Sequence, residues 1–99
     1  MTKKINKKIL IVEDDEDFSA ILQKKFTIEG FSIVIAKNGE EAIDIAEREK
    51  PDLVISDVLM PKMDGMTMAK KIKESNKNIQ IIFLTNLKND NYTDDIKKS

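Results

Sequence analysis

Lys8-Ile9-Leu10-Ile11-Val12-Glu13-Asp14-Asp15-Glu16-Asp17 sets four consecutive apolar residues directly against five consecutive acidic ones. The apolar run does not alternate with polar residues, so it reads as a short strand covered on both faces, the kind found inside a parallel sheet. The acidic run then opens a helix. From Asp15 or Glu16 onward, Phe18, Ile21, Leu22 and Phe26 fall at i, i+3, i+4 and i+8, acidic residues occupy the first turn, Lys24 and Lys25 come late, and Gly30 supplies the stop.

The same unit recurs downstream. Phe31 to Ala36 is a second β-rich run, followed by Asn38-Gly39 as turn chemistry and by Ala42, Ile43 and Ala46 on one helical face, ending before Pro51. Leu53-Val54-Ile55 gives a third strand. A loop through Pro61 and Gly65 leads to a third helix with Met66, Ala69 and Ile72 on its apolar face, ending near Asn76, and Ile79 to Leu84 forms a fourth strand. Beyond Thr85 a polar stretch carries a weak helical pattern with Tyr92 and Ile96 at i, i+4. Repeated βα units with continuous apolar strands predict an α/β fold, a doubly wound parallel sheet with helices on both faces.

At 99 residues the chain has room for one domain, residues 1–99, and its 40% hydrophobic content is too high for a disordered tail. A net charge of -1 leaves no electrostatic footprint for nucleic acid or an anionic membrane. The absence of Cys and His excludes disulfides, thiolate catalysis, zinc–thiolate and imidazole ligation, and Ser-His-Asp chemistry. Chemistry here runs on carboxylates, hydroxyls and lysines. No apolar run approaches the roughly 18 residues that span a bilayer, and a cytoplasmic location is expected.

Ligands of such sheets bind beyond the carboxyl ends of the strands. There the first strand delivers Glu13 and Asp14, the third Asp57 and the fourth Thr85, and the three carboxylates converge if the first and third strands are neighbours. Asp15 or Glu16 taken alone reads as a helix cap. Asp57 does not, because it ends an apolar strand and is followed by Val58-Leu59-Met60-Pro61 with no helix close enough to cap. Carboxylates drawn together at one edge call for a hard divalent cation, and so few of them suit magnesium retaining its waters better than calcium. Gly30, Gly39 and Gly65 are isolated, so no Gly-rich nucleotide loop exists. The lysines at 70, 71, 73 and 77 read as a solvated helix face, and the methionines at 60, 63, 66 and 68 as packing residues.

The segments Ile9-Leu10-Ile11-Val12-Glu13-Asp14-Asp15, Asp57-Val58-Leu59-Met60-Pro61-Lys62-Met63-Asp64-Gly65 and Phe83-Leu84-Thr85 resemble the receiver domain of two-component response regulators. The resemblance runs from about Lys7 to Thr85. It implies a flavodoxin-like receiver fold with strand order 2-1-3-4, Asp57 as phosphoacceptor, Glu13 and Asp14 as the acidic pair serving Mg2+, the backbone carbonyl of Leu59 as a further metal ligand, and Thr85 as the switch hydroxyl. It also implies a sensor histidine kinase or phosphotransfer protein as partner, since this chain has no His to phosphorylate.

Three departures from the family pattern stand out. The fifth strand, with its Lys-Pro pair, and the fifth helix are missing before Ser99, so the chain is expected to be a truncated receiver. Asn86 follows the switch hydroxyl where a small residue is usual. Leu59 and Leu87 flank the site, and both being apolar points to slower loss of phosphate. From the truncation, self-association through an exposed fourth strand, or marginal folding, is expected. A second functional class stands beside the phosphoacceptor: an interaction or dimerisation module that keeps the acidic pocket but transfers no phosphate.

Overall fold

The computed structural model describes residues 7–57 and 65–84. Four strands, β1 (Lys8–Val12), β2 (Ser32–Ala36), β3 (Leu53–Asp57) and β4 (Gln80–Leu84), alternate with three helices, α1 (Glu16–Ile28), α2 (Gly39–Glu49) and α3 (Gly65–Ser75). All neighbouring strands pair in parallel in the order β2-β1-β3-β4, the order expected from the family resemblance. Each crossover from one strand to the next is therefore made by a helix, which places the sheet's two faces under different helices.

The unbroken apolar run of β1 has a direct structural cause. Leu10 and Val12 point into a core shared with Ala36, Ala42, Ile45, Val54, Met68, Ile72 and Ile79, which lies on the side of α2 and α3. Ile9 and Ile11 point the other way, with Ile55, and pack against Leu22 and Phe26 of α1 and against Phe31. These four apolar residues of β1 are at most 1% exposed, so this part of the strand is covered on both faces. Truncating one such side chain, Leu10→Ala for instance, costs about 2–5 kcal/mol.

Helix ends follow the sequence signals closely. Asp15 caps α1 by accepting from the backbone N–H groups of Asp17 (3.0 Å) and Phe18 (3.1 Å), with Glu16 and Asp17 in the first turn. Asn38 caps α2 by accepting from Glu41 N–H at 2.9 Å. Past α1 the chain reverses at Gly30, whose φ of 103° lies where a side chain would clash. Lys50 ends α2 in the left-handed region at φ 49°, and its N–H is satisfied by the Ala46 carbonyl.

Two helix faces are rotated from those expected. Ile21 is exposed, because Ser19, Leu22 and Phe26 define the face of α1 turned to the sheet and Ile21 lies about 100° around the helix from Leu22. Met66 is likewise exposed: α3 buries Gly65, Met68 and Ile72, and Met66 lies on nearly the opposite side. Ile45 joins the core from α2 beside the expected Ala42. The lysines at 70, 71, 73 and 77 are all exposed, as expected. Among the described residues β4 is an outer strand, and its Ile82 is 48% exposed.

Candidate functional site

The parallel order brings the carboxyl ends of β1 and β3 side by side, with Val12 in register with Ser56. The residues that leave those two strands are Glu13-Asp14 and Asp57. Glu13 keeps the β1 ladder for one residue beyond the strand, its N–H donating to the Ala36 carbonyl at 2.9 Å. Asp57 remains inside β3 as its last residue, opposite Leu84 of β4. Backbone pairing, rather than loop conformation, therefore sets where both side chains begin.

Oxygens of Glu13, Asp14 and Asp57 lie within 4.8 Å of one another. Glu13 is 3% and Asp57 7% exposed, whereas Asp14 is open to solvent. The cluster thus has a buried floor of two carboxylates and one solvated carboxylate at its rim. Glu13 is also held from the next turn of chain, its Oε1 accepting from Asp15 N–H at 3.3 Å. Asp15 in turn caps α1, so one short segment joins the acidic cluster to the start of the helix. At the same edge of the sheet, Lys37 approaches Glu16 at 3.5 Å, an exposed pair worth at most about 1 kcal/mol.

The donor set suits magnesium. It consists only of carboxylate oxygens, and two ligands opposite one another across an octahedral magnesium ion are about 4.2 Å apart. A spread of up to 4.8 Å admits an ion held directly by some oxygens and through water by others.

The chain matches the model of the response regulator receiver domain over residues 9–99. It belongs to that family. It is 41% identical over 81 residues to the alkaline phosphatase synthesis transcriptional regulatory protein PhoP of Bacillus subtilis, an alignment covering 82% of this chain and 34% of the relative. The same identity and length hold for sporulation initiation phosphotransferase F of Bacillus subtilis, of which 65% is covered. The receiver chain thus spans about a third of one of these relatives and just under two thirds of the other. Among solved structures, it superposes on the response regulator protein TrrA of Thermotoga maritima, in complex with Mg(2+)-BeF, with a TM-score of 0.77 and 35% identity over 93% of this chain and 78% of that one.

Of the site residues expected from sequence, Glu13, Asp14 and Asp57 come together. Leu59 and Thr85 lie outside the described residues, as do Asn86 and Leu87. One polar residue beside the receiver's acidic cluster escaped the sequence reading. Ser56, buried in β3, donates from its hydroxyl to the Asp57 carbonyl at 2.8 Å. A hydroxyl interrupting Leu53-Val54-Ile55 immediately before Asp57 was the available signal.

Proposed function

We propose that this receiver domain accepts a phosphoryl group onto a carboxylate oxygen of Asp57. The observation that carries the reading is the approach of Glu13, Asp14 and Asp57 oxygens to within 4.8 Å at the carboxyl edge of a parallel sheet. The donor is a phosphohistidine on a sensor histidine kinase or phosphotransfer protein, or a small phosphodonor. With phosphohistidine as donor its P–N bond breaks, a P–O bond to Asp57 forms, and the imidazole leaves with the bond's electron pair and takes up a proton; a small phosphodonor releases its own leaving group in the same way. The product is an acyl phosphate.

Phosphoryl transfer asks the protein mainly for positioning and charge neutralisation. Mg2+ held by Glu13, Asp14 and Asp57, with the Leu59 carbonyl as a further ligand, would offset the negative charge gathered around the transferring group. Asp57, fixed at a strand end, presents its oxygen from a rigid support. Glu13 is oriented by the Asp15 N–H. Thr85, the residue after β4, reads the phosphoryl group once it is attached. Two similarities support this reading: the Thermotoga relative is a complex with Mg(2+)-BeF, and a Bacillus relative is named a phosphotransferase. No helix among the described residues is long and apolar enough to cross a membrane.

Incubation with a small phosphodonor should incorporate phosphate in the presence of Mg2+, and Asp57→Asn should abolish it. Phosphate retained in that variant would move the acceptor elsewhere. A folded wild-type chain that takes up none would favour the interaction-module reading. For that second class the supporting observation is the half-exposed Ile82 on β4, the outer strand among the described residues, a surface suited to pairing with a second copy. Sedimentation should then show a concentration-dependent dimer that Ile82→Lys weakens, and a monomer at every concentration would contradict it.

A further inference from the structure

Ser56 stands at a position that neighbouring residues make apolar. It is 1% exposed and sits in register with Val12 on one side and Phe83 on the other. By strand alternation its side chain shares the sheet face of Val54, the face packed by α2 and α3. A hydroxyl buried there is costly unless it is hydrogen-bonded, and valine would suit the strand better by propensity. Its 2.8 Å bond goes to the carbonyl of Asp57, the peptide group through which the chain leaves β3 for the segment at 58–64.

We infer that Ser56 is a positioning residue for the metal and phosphoryl site, acting through the Asp57 carbonyl. The inference rests on the reading of Asp57 as acceptor and metal ligand. The hydroxyl fixes the orientation of the Asp57–Val58 peptide plane, and hence the backbone torsion of Asp57 at the point where the sheet's ladder ends. The Asp57 carboxylate hangs from the same residue and so depends on that plane. Metal sites tolerate displacements of about 0.5 Å, and supporting hydrogen bonds are what hold ligands within that range.

The test is a calorimetric titration of Mg2+ into folded wild-type, Ser56→Ala, Ser56→Cys and Ser56→Thr proteins, paired with thermal melting of each. Alanine removes the donor. Cysteine keeps the shape with a much weaker donor, and so serves if the alanine variant does not fold. Threonine keeps the hydroxyl. The expected result is a Mg2+ dissociation constant raised about tenfold in Ser56→Ala, less so in Ser56→Cys, and restored to within about twofold in Ser56→Thr. A purely structural serine would lower the melting temperature of the alanine and cysteine variants and leave their Mg2+ affinity at the wild-type value, and that result overturns the inference. Metal affinity is read without any phosphoryl transfer. Failure of the wild-type chain to take up phosphate would therefore count against the proposed function alone, whereas wild-type protein that binds no Mg2+ would overturn the role of Ser56 as well.

Discussion

Glu13 and Asp57, 44 positions apart in sequence, present carboxylate oxygens to one another within 4.8 Å because β1 and β3 are adjacent and parallel. Both side chains are buried, and with Asp14 at the rim they concentrate negative charge at one point of the sheet edge. Most of the expected behaviour of the chain follows from that contact.

Magnesium should bind the folded chain in preference to the unfolded one, because unfolding separates the three carboxylates. At a hundredfold excess over its dissociation constant the ion should add about 2.7 kcal/mol. For a domain of this size that is a rise in melting temperature of roughly 10–20 °C, read by circular dichroism with and without the ion. A midpoint unmoved by millimolar Mg2+ would contradict an assembled site.

Asp57→Asn removes one of the clustered charges at nearly constant shape. In the absence of metal it should stabilise the fold by roughly 1–3 kcal/mol, the repulsion between unit charges at this separation for screening between that of water and that of a partly buried protein site. It should also weaken Mg2+ binding. Denaturant unfolding in chelator checks the first effect and calorimetry the second.

Thr85→Ala should still accept phosphate on Asp57, because the hydroxyl is assigned to sensing the group after transfer. Its expected signature is normal phosphate incorporation with loss of the change in partner binding that phosphorylation brings about. A folded Thr85→Ala protein that no longer takes up phosphate would give this residue a part in the transfer itself.

At the opposite edge of the sheet, Lys8 Nζ bonds Glu49 Oε1 at 2.7 Å and joins the start of β1 to the end of α2. The Lys8 hydrogen bond, and secondarily its charge, hold the Glu49 carboxyl below its ordinary value of 4.5. The stability from this pair is therefore complete above pH 4.5 and is lost as the pH falls through the lower folded-state value. Glu49→Gln should remove that part of the acid limb, so that mutant and wild-type stabilities converge at low pH. Parallel curves across the whole range would mean the pair contributes nothing.

The element order and the acidic site were legible because each rests on local pattern. Ile9 to Val12 reads as a doubly covered strand without knowledge of its neighbours, and Asp15 reads as a cap from its place before the helix, whereas Asn38, read only as turn chemistry, proves to cap α2. Periodicity makes the adjacency of the first and third strands, on which the site depends, only conditional, and the family resemblance supplies it. The lapses were of two kinds. Ile21 and Met66 are apolar and helical yet exposed, since periodicity gives a face only to within about one residue and tertiary packing selects its centre. The Ser56 bond to the Asp57 carbonyl and the Lys8–Glu49 pair were hidden because the first needs a rotamer and the second a contact across 41 residues.

The most direct test of the central claim is to locate the phosphoryl group chemically. After incubation with a phosphodonor and Mg2+, borohydride reduces an aspartyl acyl phosphate to homoserine, which peptide mass spectrometry places on a single residue. The account predicts homoserine at position 57, dependent on Mg2+ and absent from Asp57→Asn. Reduction products at Glu13 or Asp14, or none in a protein that has demonstrably taken up phosphate, would contradict it.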